Sequence, residues 1–203
     1  MIIIGVTGSI GTGKSTVSKM LKKLRVPVFD SDQKVKEILE KNQLAIKKIL
    51  TIWPDAIISN QRERKIDKVV LSNKIFKSKK ERKKLENIIH PLVEKERNRF
   101  LLKAKNFRMV GLDVPLLYET GTDKKCDYIF LMYTTKKIQK ERVLRRPNMT
   151  EHKFELINNS QWNFEKKLKM KPIVINTSYG KIITFILVLL NLLRIKIRVK
   201  KND

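Results

Sequence analysis

The sequence predicts an α/β fold in which five parallel strands form one sheet with helices on both of its faces. Short apolar segments rich in β-branched residues alternate with longer segments whose apolar residues recur at helical spacing. A glycine-rich turn follows the first short segment. The 203 residues, 41% of them hydrophobic, suffice for one domain with a sizeable core. This alternation is typical of a parallel sheet with right-handed crossovers.

Each strand is predicted where an apolar run is short and ends at polar residues. The predicted strands are Met1–Val6, Val26–Phe29, Met109–Val114, Tyr128–Tyr133 and Pro172–Ile175. Because helical patterns separate most of them, we expect the strands to be joined by crossovers and to run parallel.

Helices are predicted where apolar residues repeat every three or four positions, as they do from Val17 to Leu24. The other predicted helical stretches are Val35 to Leu50, continuous up to Pro54; Lys79 to Lys105, which Pro91 should kink or split; Lys136 to Arg146; Glu151 to Lys169; and Ile182 to Leu193. Residues 55–80 carry no clear period.

Residues 8–15, with the sequence GSIGTGKS, match the phosphate-binding loop pattern G-x-x-x-x-G-K followed by Ser or Thr. A predicted strand precedes the loop and a predicted helix follows it, which is the context that the motif requires. Glycines let backbone N–H groups converge on phosphate oxygens, and a helix N-terminus favours an anion. Lys14 would reach the β- and γ-phosphates, and the Ser15 hydroxyl would be a ligand of Mg²⁺. The sequence therefore predicts binding of a nucleoside triphosphate with magnesium.

Among proteins with this loop, a small-molecule kinase fits best. Regulatory GTPases recognise guanine with Asn-Lys-x-Asp, whereas Asn73-Lys74 is followed by Ile75-Phe76 and lacks the Asp. A motor or helicase of 203 residues would be unusually small. A kinase needs a carboxylate to accept the proton of the substrate hydroxyl, and arginines to neutralise the migrating phosphoryl group.

Candidates for both kinds of group are present. Asp30 and Asp32 directly follow the second predicted strand, at the edge where open α/β sheets bind ligands, and each is also a good helix-capping residue. Arg142, Arg145 and Arg146 lie on one predicted helix. On a lid they would clamp phosphate, and on an ordinary surface they would have no catalytic role. The residues alone do not decide between a lid that clamps phosphate and an ordinary surface helix.

The charge balance is strongly basic, with 46 Lys and Arg against 20 Asp and Glu and a net charge of +26. Such an excess raises the expectation of an anionic partner. However, Lys is spread along the whole chain and only 7% of residues are aromatic. A nucleic-acid-binding face would concentrate charge and interleave aromatic side chains. We expect dispersed, solvated lysines and no dedicated nucleic-acid partner.

The remaining features indicate a cytoplasmic protein. A single cysteine, Cys126, excludes an internal disulfide, and no signal peptide precedes the glycine loop. The apolar run Ile182 to Leu193 is shorter than the roughly 20 residues that cross a bilayer. We therefore expect a buried C-terminal helix and no membrane span, although the basic tail Arg194 to Lys201 could contact anionic lipid. We expect a monomer or a small homo-oligomer.

An ordered set of segments beyond the loop carries more specific information. These segments are Asp30-Ser31-Asp32; Ile66-Asp67-Lys68 with Leu71 and Phe76; Leu85 to His90-Pro91; Val114 to Glu119; Gln139 with Arg142 and Arg146; Gln161; and Asn176. Together with the loop they resemble the dephospho-coenzyme A kinase family over about residues 2–180.

The resemblance implies that ATP phosphorylates the ribose 3′-hydroxyl of dephospho-coenzyme A, the last step of coenzyme A synthesis. It implies Asp32 as the base, and Lys14, Arg142 and Arg146 as the groups that hold the transferring phosphoryl. The implied contacts are Gly11, Thr12, Gly13, Lys14, Ser15 and Thr16 for ATP, Ser15 for Mg²⁺, and Thr7, Asp30, His90, Pro115, Leu116 and Glu119 for the acceptor. It also implies a single P-loop kinase domain over residues 1–203, with an acceptor-side helical segment at about 55–105 and a lid at about 136–170.

Three positions depart from the family's pattern. Lys68 stands where Arg is usual, so the charge is kept but the bidentate fork is lost. Pro147 directly follows the lid arginines, so the lid helix should end abruptly. The stretch from Thr177 to Gly180 is slightly expanded. None of the three touches the loop or Asp32, and we expect an active enzyme.

Overall fold

A computed structural model describes residues 1–58 and 65–202 of the chain. The chain divides into two compact units, the first formed by Met1–Asp30 with Ala104–Asp203 and the second by Ser31–Lys103. Each unit has its own cluster of buried apolar side chains. The expected single kinase domain with an acceptor-side segment and a lid stays a prediction, and residues 59–64 of that acceptor-side segment lie outside the described residues.

A sheet of five parallel strands forms the centre of the first unit and confirms the predicted sheet. The strands within the described residues are β1 (Ile2–Thr7), β2 (Val28–Asp30), β3 (Ile57–Ile58), β4 (Lys65–Ile66), β5 (Met109–Asp113), β6 (Tyr128–Tyr133) and β7 (Ile173–Asn176). In space the order is β2-β5-β1-β6-β7, whereas β3 and β4 pair antiparallel in the second unit. β2 begins two residues later than predicted, after Pro27, which has no N–H to donate to a neighbouring strand.

Helices surround each core. The first unit contains α1 (Lys14–Lys23), α6 (Lys136–Leu144), α7 (Glu151–Asn159), α8 (Phe164–Leu168) and α9 (Gly180–Asn202), and the second unit contains α2 (Ser31–Lys41), α3 (Gln43–Ile52), α4 (Lys68–Lys77) and α5 (Lys79–Lys103). In the first unit Ile4 and Val6 of β1 pack in one cluster with Leu21 of α1 and Val188 of α9. Because β1 lies between β5 and β6, an apolar run suits it better than an alternating one.

Two stretches that periodicity predicted as single helices are divided by asparagine caps. The Asn42 side chain accepts the Ala45 N–H at 2.9 Å, which separates α2 from α3. The Asn163 side chain accepts the Lys166 N–H at 2.8 Å and begins α8. A side chain that binds the backbone locally starts a new helix there, even where the apolar period continues.

Pro91 does not split the helix that contains it, because α5 runs through all 25 residues from Lys79 to Lys103. The ring removes one backbone hydrogen bond of the helix. Packing offsets this loss, since Ile89 beside it lies in the second unit's core together with residues of α3.

The predicted buried helix at the C-terminus is buried on one side only. Val188 and Ile195 of α9 are buried, whereas Ile182 and Leu190 are 79% and 45% exposed. The helix is also longer than the apolar run that predicted it, since it extends from Gly180 to Asn202.

Candidate active site

The phosphate-binding loop joins β1 to α1 at the carboxyl edge of the parallel sheet. Gly11 and Gly13 have φ angles of +80° and +94°, in the left-handed region that disfavours residues with a Cβ atom. A Cβ at Gly11 would lie 2.6 Å from Val143 Cγ2, and one at Gly13 would lie 3.1 Å from Thr177 Cγ2. Backbone conformation and space therefore both require glycine at these positions.

A buried carboxylate holds the loop lysine. Asp113, the last residue of β5, accepts a hydrogen bond from Lys14 Nζ on Oδ1 at 2.5 Å and one from Ser18 Oγ on Oδ2 at 2.6 Å. The Asp113 side chain is 1% exposed and that of Lys14 is 14% exposed. A buried charge needs a partner and hydrogen bonds. Lys14 and Ser18 meet that need, and the ion pair fixes the position of the lysine.

Two glutamine side chains hold Ile10 at the tip of the loop. Gln161 Oε1 accepts the Ile10 N–H at 3.1 Å, and Gln139 Nε2 donates to the Ile10 carbonyl at 2.7 Å. Gln139 also donates to Asn158 Oδ1 at 3.3 Å. Because both backbone groups of Ile10 bind side chains from α6 and the α7–α8 connection, the loop conformation depends on those segments.

Thr177, which follows β7, connects the predicted lid helix to the loop. Arg142 of α6 donates from Nη1 to Thr177 Oγ1 at 2.9 Å and from Nη2 to the Thr177 carbonyl at 2.8 Å. Thr177 Oγ1 in turn donates to the Thr12 carbonyl at 2.8 Å. Arg146 is exposed, and α6 ends at Leu144, so the helix stops before Pro147 as predicted.

The segment that follows β5 contributes polar contacts on the predicted acceptor side. Thr7 Oγ1 donates to the Pro115 carbonyl at 3.0 Å, which joins the ends of β1 and β5. Glu119 Oε1 accepts the Trp162 N–H at 2.8 Å and lies 3.4 Å from Lys167 Nζ. Glu119 therefore ties this segment to the connection between α7 and α8.

Burial shifts the pKa values of two side chains around Glu119. It lowers the pKa of the fully buried Lys167, while the Glu119 charge acts in the opposite direction. Burial, followed by nearby negative charges with Asp123 foremost, raises the pKa of Tyr118 to about 12. Within the described residues, Tyr118 Oη and Glu119 Oε2 are buried and have no hydrogen-bond partner.

The remaining predicted site residues fall in both units. Asp30 ends β2 and is paired in register with Asp113 of β5, so it belongs to the loop's surroundings. Asp32 lies in the first turn of α2, and His90 lies in α5; both are exposed and both belong to the second unit. Lys68, which stands where the family has Arg, forms an ion pair with Glu40 in that unit.

The oxygen groups at the start of α1 suit a hard cation. The Ser15 hydroxyl is exposed in the first turn of α1, and Asp113 supplies a carboxylate at the adjacent strand end. Mg²⁺ prefers oxygen ligands and usually combines one or two protein side chains with phosphate oxygens and water. In the part of the chain that the structure describes, no three His, Cys, Asp or Glu side chains cluster as a metal site. These residues fit a cation that a nucleotide brings with it.

Asp113 is a site residue that the sequence motifs did not predict. The available signal was an acidic residue at the end of a predicted strand, which in an open α/β sheet is the edge that binds ligands. Only the family resemblance indicates Gln139 and Gln161, and nothing in their local sequence predicts contacts with Ile10.

Comparison with known proteins shows to which kinase family the chain belongs. The family model for dephospho-CoA kinase matches residues 2–181. The chain belongs to the dephospho-CoA kinase family. A dephospho-CoA kinase of Rhodopseudomonas palustris is 35% identical over 182 residues, which cover 89% of this chain and 88% of the relative. The predicted family is thereby confirmed.

Solved structures agree with this assignment. TT1252 from Thermus thermophilus superposes with a TM-score of 0.84 at 25% identity and covers 95% of this chain and 96% of its own. A dephospho-CoA kinase from Campylobacter jejuni superposes with a TM-score of 0.69 at 25% identity, over 99% of this chain and 98% of its own. The P-loop kinase fold is therefore confirmed over nearly the whole chain.

Within residues 1–58 and 65–202, no helix combines the length and apolar character that crossing a bilayer requires.

Proposed function

We propose that this member of the dephospho-CoA kinase family transfers the γ-phosphoryl group of ATP to the ribose 3′-hydroxyl of dephospho-coenzyme A, giving coenzyme A and ADP. The observation that supports ATP as the phosphoryl donor is the phosphate loop, in which Lys14 Nζ lies 2.5 Å from the buried Asp113. Family membership supports the acceptor.

On the donor side, the loop from Gly11 to Thr16 would bind the triphosphate through backbone N–H groups, and Lys14 would neutralise the transferring phosphoryl. Mg²⁺, when bound, would neutralise charge on the β- and γ-phosphate oxygens, with Ser15 and Asp113 as its protein ligands. Lys14 Nζ would exchange its contact with Asp113 for phosphate oxygens. The carboxylate would then be available to the metal.

On the acceptor side, Asp32 would accept the proton of the 3′-hydroxyl. The hydroxyl oxygen bonds to the γ-phosphorus while the bond to the β–γ bridging oxygen breaks. Arg142 and Arg146 would stabilise the negative charge on the phosphoryl group during its transfer. The support for Asp32 is its position in the first turn of α2, two residues after β2 ends at the ligand-binding edge of the sheet.

The acceptor contacts are proposed from the family resemblance and from the local structure. They are Thr7, Asp30, His90, Pro115, Leu116 and Glu119. The Thr7 bond to the Pro115 carbonyl and the Glu119 bond to the Trp162 N–H hold Thr7, Pro115 and Glu119 in position.

Release of ADP with different acceptors tests the proposal. Purified protein with Mg²⁺ and ATP should release ADP when dephospho-coenzyme A is added, and much less with CMP or uridine. Turnover with a nucleotide and none with dephospho-coenzyme A would refute the acceptor. Lys14→Ala should strongly lower ADP release, whereas Lys22→Ala, which changes an exposed lysine on the same helix, should not.

We further propose a cytoplasmic enzyme that is a monomer or a small homo-oligomer and has no dedicated nucleic-acid partner. Light scattering after gel filtration measures the oligomeric state. DNA or RNA binding that is tight, steeply salt-dependent and stimulates ATP hydrolysis would instead favour a nucleic-acid-dependent ATPase.

A further inference from the structure

Helix α9 is apolar on two opposite faces. Its inner face packs into the core of the first unit through Val188, Leu192 and Ile195. Its outer face carries a row of exposed apolar side chains, here named the outer row. The row consists of Ile182, Ile186, Leu190, Leu193 and Ile197, which are 79%, 47%, 45%, 45% and 58% exposed.

The spacing makes the outer row one continuous surface. Its members follow each other at intervals of three or four residues, so they lie along one side of the helix. From Ile182 to Ile197 the row is about 22 Å long at 1.5 Å per residue. Single exposed leucines, such as Leu44 and Leu102, also occur elsewhere and are ordinary. A contiguous row of this length indicates an interaction surface.

Basic side chains border the outer row. With 3.6 residues per turn, Arg194 and Lys196 lie on opposite sides of it, and Arg198 lies beyond Arg194. All three are exposed, and the sequence of α9 contains no Asp or Glu. The partner that suits this face is therefore both apolar and anionic.

Charge and polarity separate the candidate partners. A second copy of a chain with net charge +26 would meet like charge, which opposes association. A nucleic acid would pair with the basic groups but would leave the apolar row uncovered. A membrane surface with anionic headgroups matches both features, because helices of this kind lie in the interface plane with their apolar side in the acyl boundary.

We propose that the outer face of α9 docks the protein on anionic lipid membranes. The outer row enters the boundary between headgroups and acyl chains, and Arg194, Lys196 and Arg198 pair with lipid phosphates. The inner face stays packed on the protein core, so the helix lies on the membrane and does not cross it. This docking is independent of the kinase reaction.

Vesicle flotation with the full chain tests the proposal. The protein should float with vesicles of phosphatidylcholine that contain about one third phosphatidylglycerol, and not with phosphatidylcholine alone. Added salt should weaken the binding. Ile186→Gln combined with Leu190→Gln should lower the partition coefficient more than tenfold. Replacing Arg194, Lys196 and Arg198 by Gln should lower it about fivefold per side chain, on the order of 100-fold together.

Matched controls distinguish docking through α9 from general attraction of a basic protein. Leu44→Gln with Leu102→Gln changes two leucines that are 74% and 72% exposed on other helices. The combined variant Lys47→Gln, Lys48→Gln, Lys80→Gln removes three exposed charges outside α9. Both control variants should bind vesicles within about threefold of the parent, since neither changes the docking face.

Three results would overturn the proposal. The first is absence of binding to the anionic vesicles. The second is an equal loss of binding in the control lysine variant, which would assign the effect to net charge. The third is a concentration-dependent dimer that the Ile186→Gln and Leu190→Gln changes disperse, without vesicle binding, which would assign the face to a second copy. Unchanged circular dichroism and ADP release in the α9 variants show that a loss of binding is not misfolding.

Discussion

Replacing glutamine by glutamate should have different consequences at the two positions that hold Ile10. Gln161 accepts the Ile10 N–H through Oε1, and a glutamate keeps that acceptor. Gln139 donates through Nε2 to the Ile10 carbonyl, and a glutamate replaces this donor with an acceptor. Both changes add one negative charge at the same loop, so repulsion from ATP is common to the pair. The difference in kcat/KM between the two variants therefore measures the contribution of the hydrogen bonds to Ile10.

The magnitude follows from the contacts that are lost. Gln139→Glu removes the donor to the Ile10 carbonyl at 2.7 Å and to Asn158 Oδ1 at 3.3 Å. Gln139 is 8% exposed, so water replaces the missing donor poorly. An unsatisfied buried polar group costs about 1–3 kcal/mol. This corresponds to a factor of about 5–150 in the equilibrium constant for the loop's native conformation. Gln161→Glu keeps its bond and gives it a charged acceptor.

We expect kcat/KM for ATP to be at least about tenfold higher in Gln161→Glu than in Gln139→Glu. The assay is initial-rate ADP release at saturating dephospho-coenzyme A, with nucleotide binding measured separately so that KM and kcat effects are resolved. Gln139→Ala removes the donor without adding charge and should give a higher kcat/KM than Gln139→Glu. Urea unfolding checks that each variant is folded. Equal kcat/KM values, or the reverse order, would refute a positioning role for these side chains.

Three further substitutions test other parts of the site. Asp32→Asn should lose most turnover while ATP binding is retained, because only the proton acceptor is removed; near-normal ADP release would leave Asp32 as a helix-start residue. Lys14→Ala should lower kcat by about 10²–10³-fold through lost charge stabilisation, and an unchanged kcat would contradict the role of the loop. Tyr118→Phe should raise the free energy of unfolding by about 1 kcal/mol at neutral pH, because it removes a buried hydroxyl without a partner among the described residues. Since the pKa of Tyr118 is raised from 10.0 to about 12, the unfolded chain loses this proton first. The parent should therefore lose on the order of 2–3 kcal/mol more stability than the Phe variant as pH rises through that window, and parallel urea titrations across it would exclude the effect.

The sheet and the loop could be predicted because their signals are local. An apolar β-branched run such as Ile2-Ile3-Ile4 has few alternatives to a buried strand, and the loop motif is contiguous. The helix boundaries at Asn42 and Asn163 could not be read in the same way. The apolar period continues across both positions, and only the side-chain bond to the backbone decides that a new helix begins.

The contacts around the loop could not be predicted because they join distant parts of the chain. Asp113 lies 99 residues from Lys14 in sequence and meets it only because β5, not β2, is the neighbour of β1 in the sheet. For helix α9, the sequence predicted more burial than the structure shows. The apolar run from Ile182 to Leu193 predicts a buried helix, and the sequence does not reveal that neighbours cover only its inner face.

The ion pair between Lys14 and Asp113 has a consequence for the order of events at the site. A carboxylate that is 1% exposed requires a compensating cation, so Lys14 leaves it at low energetic cost only when another positive charge arrives. Under the proposed function, ATP that enters together with its metal would satisfy this condition, because the lysine would exchange a carboxylate for phosphate oxygens and the carboxylate would gain a cation. A nucleotide without a metal would draw the lysine away and leave Asp113 uncompensated. The buried aspartate would therefore make nucleotide binding and metal binding depend on each other. In this way Asp113 would favour the metal-bound nucleotide before any phosphoryl group moves.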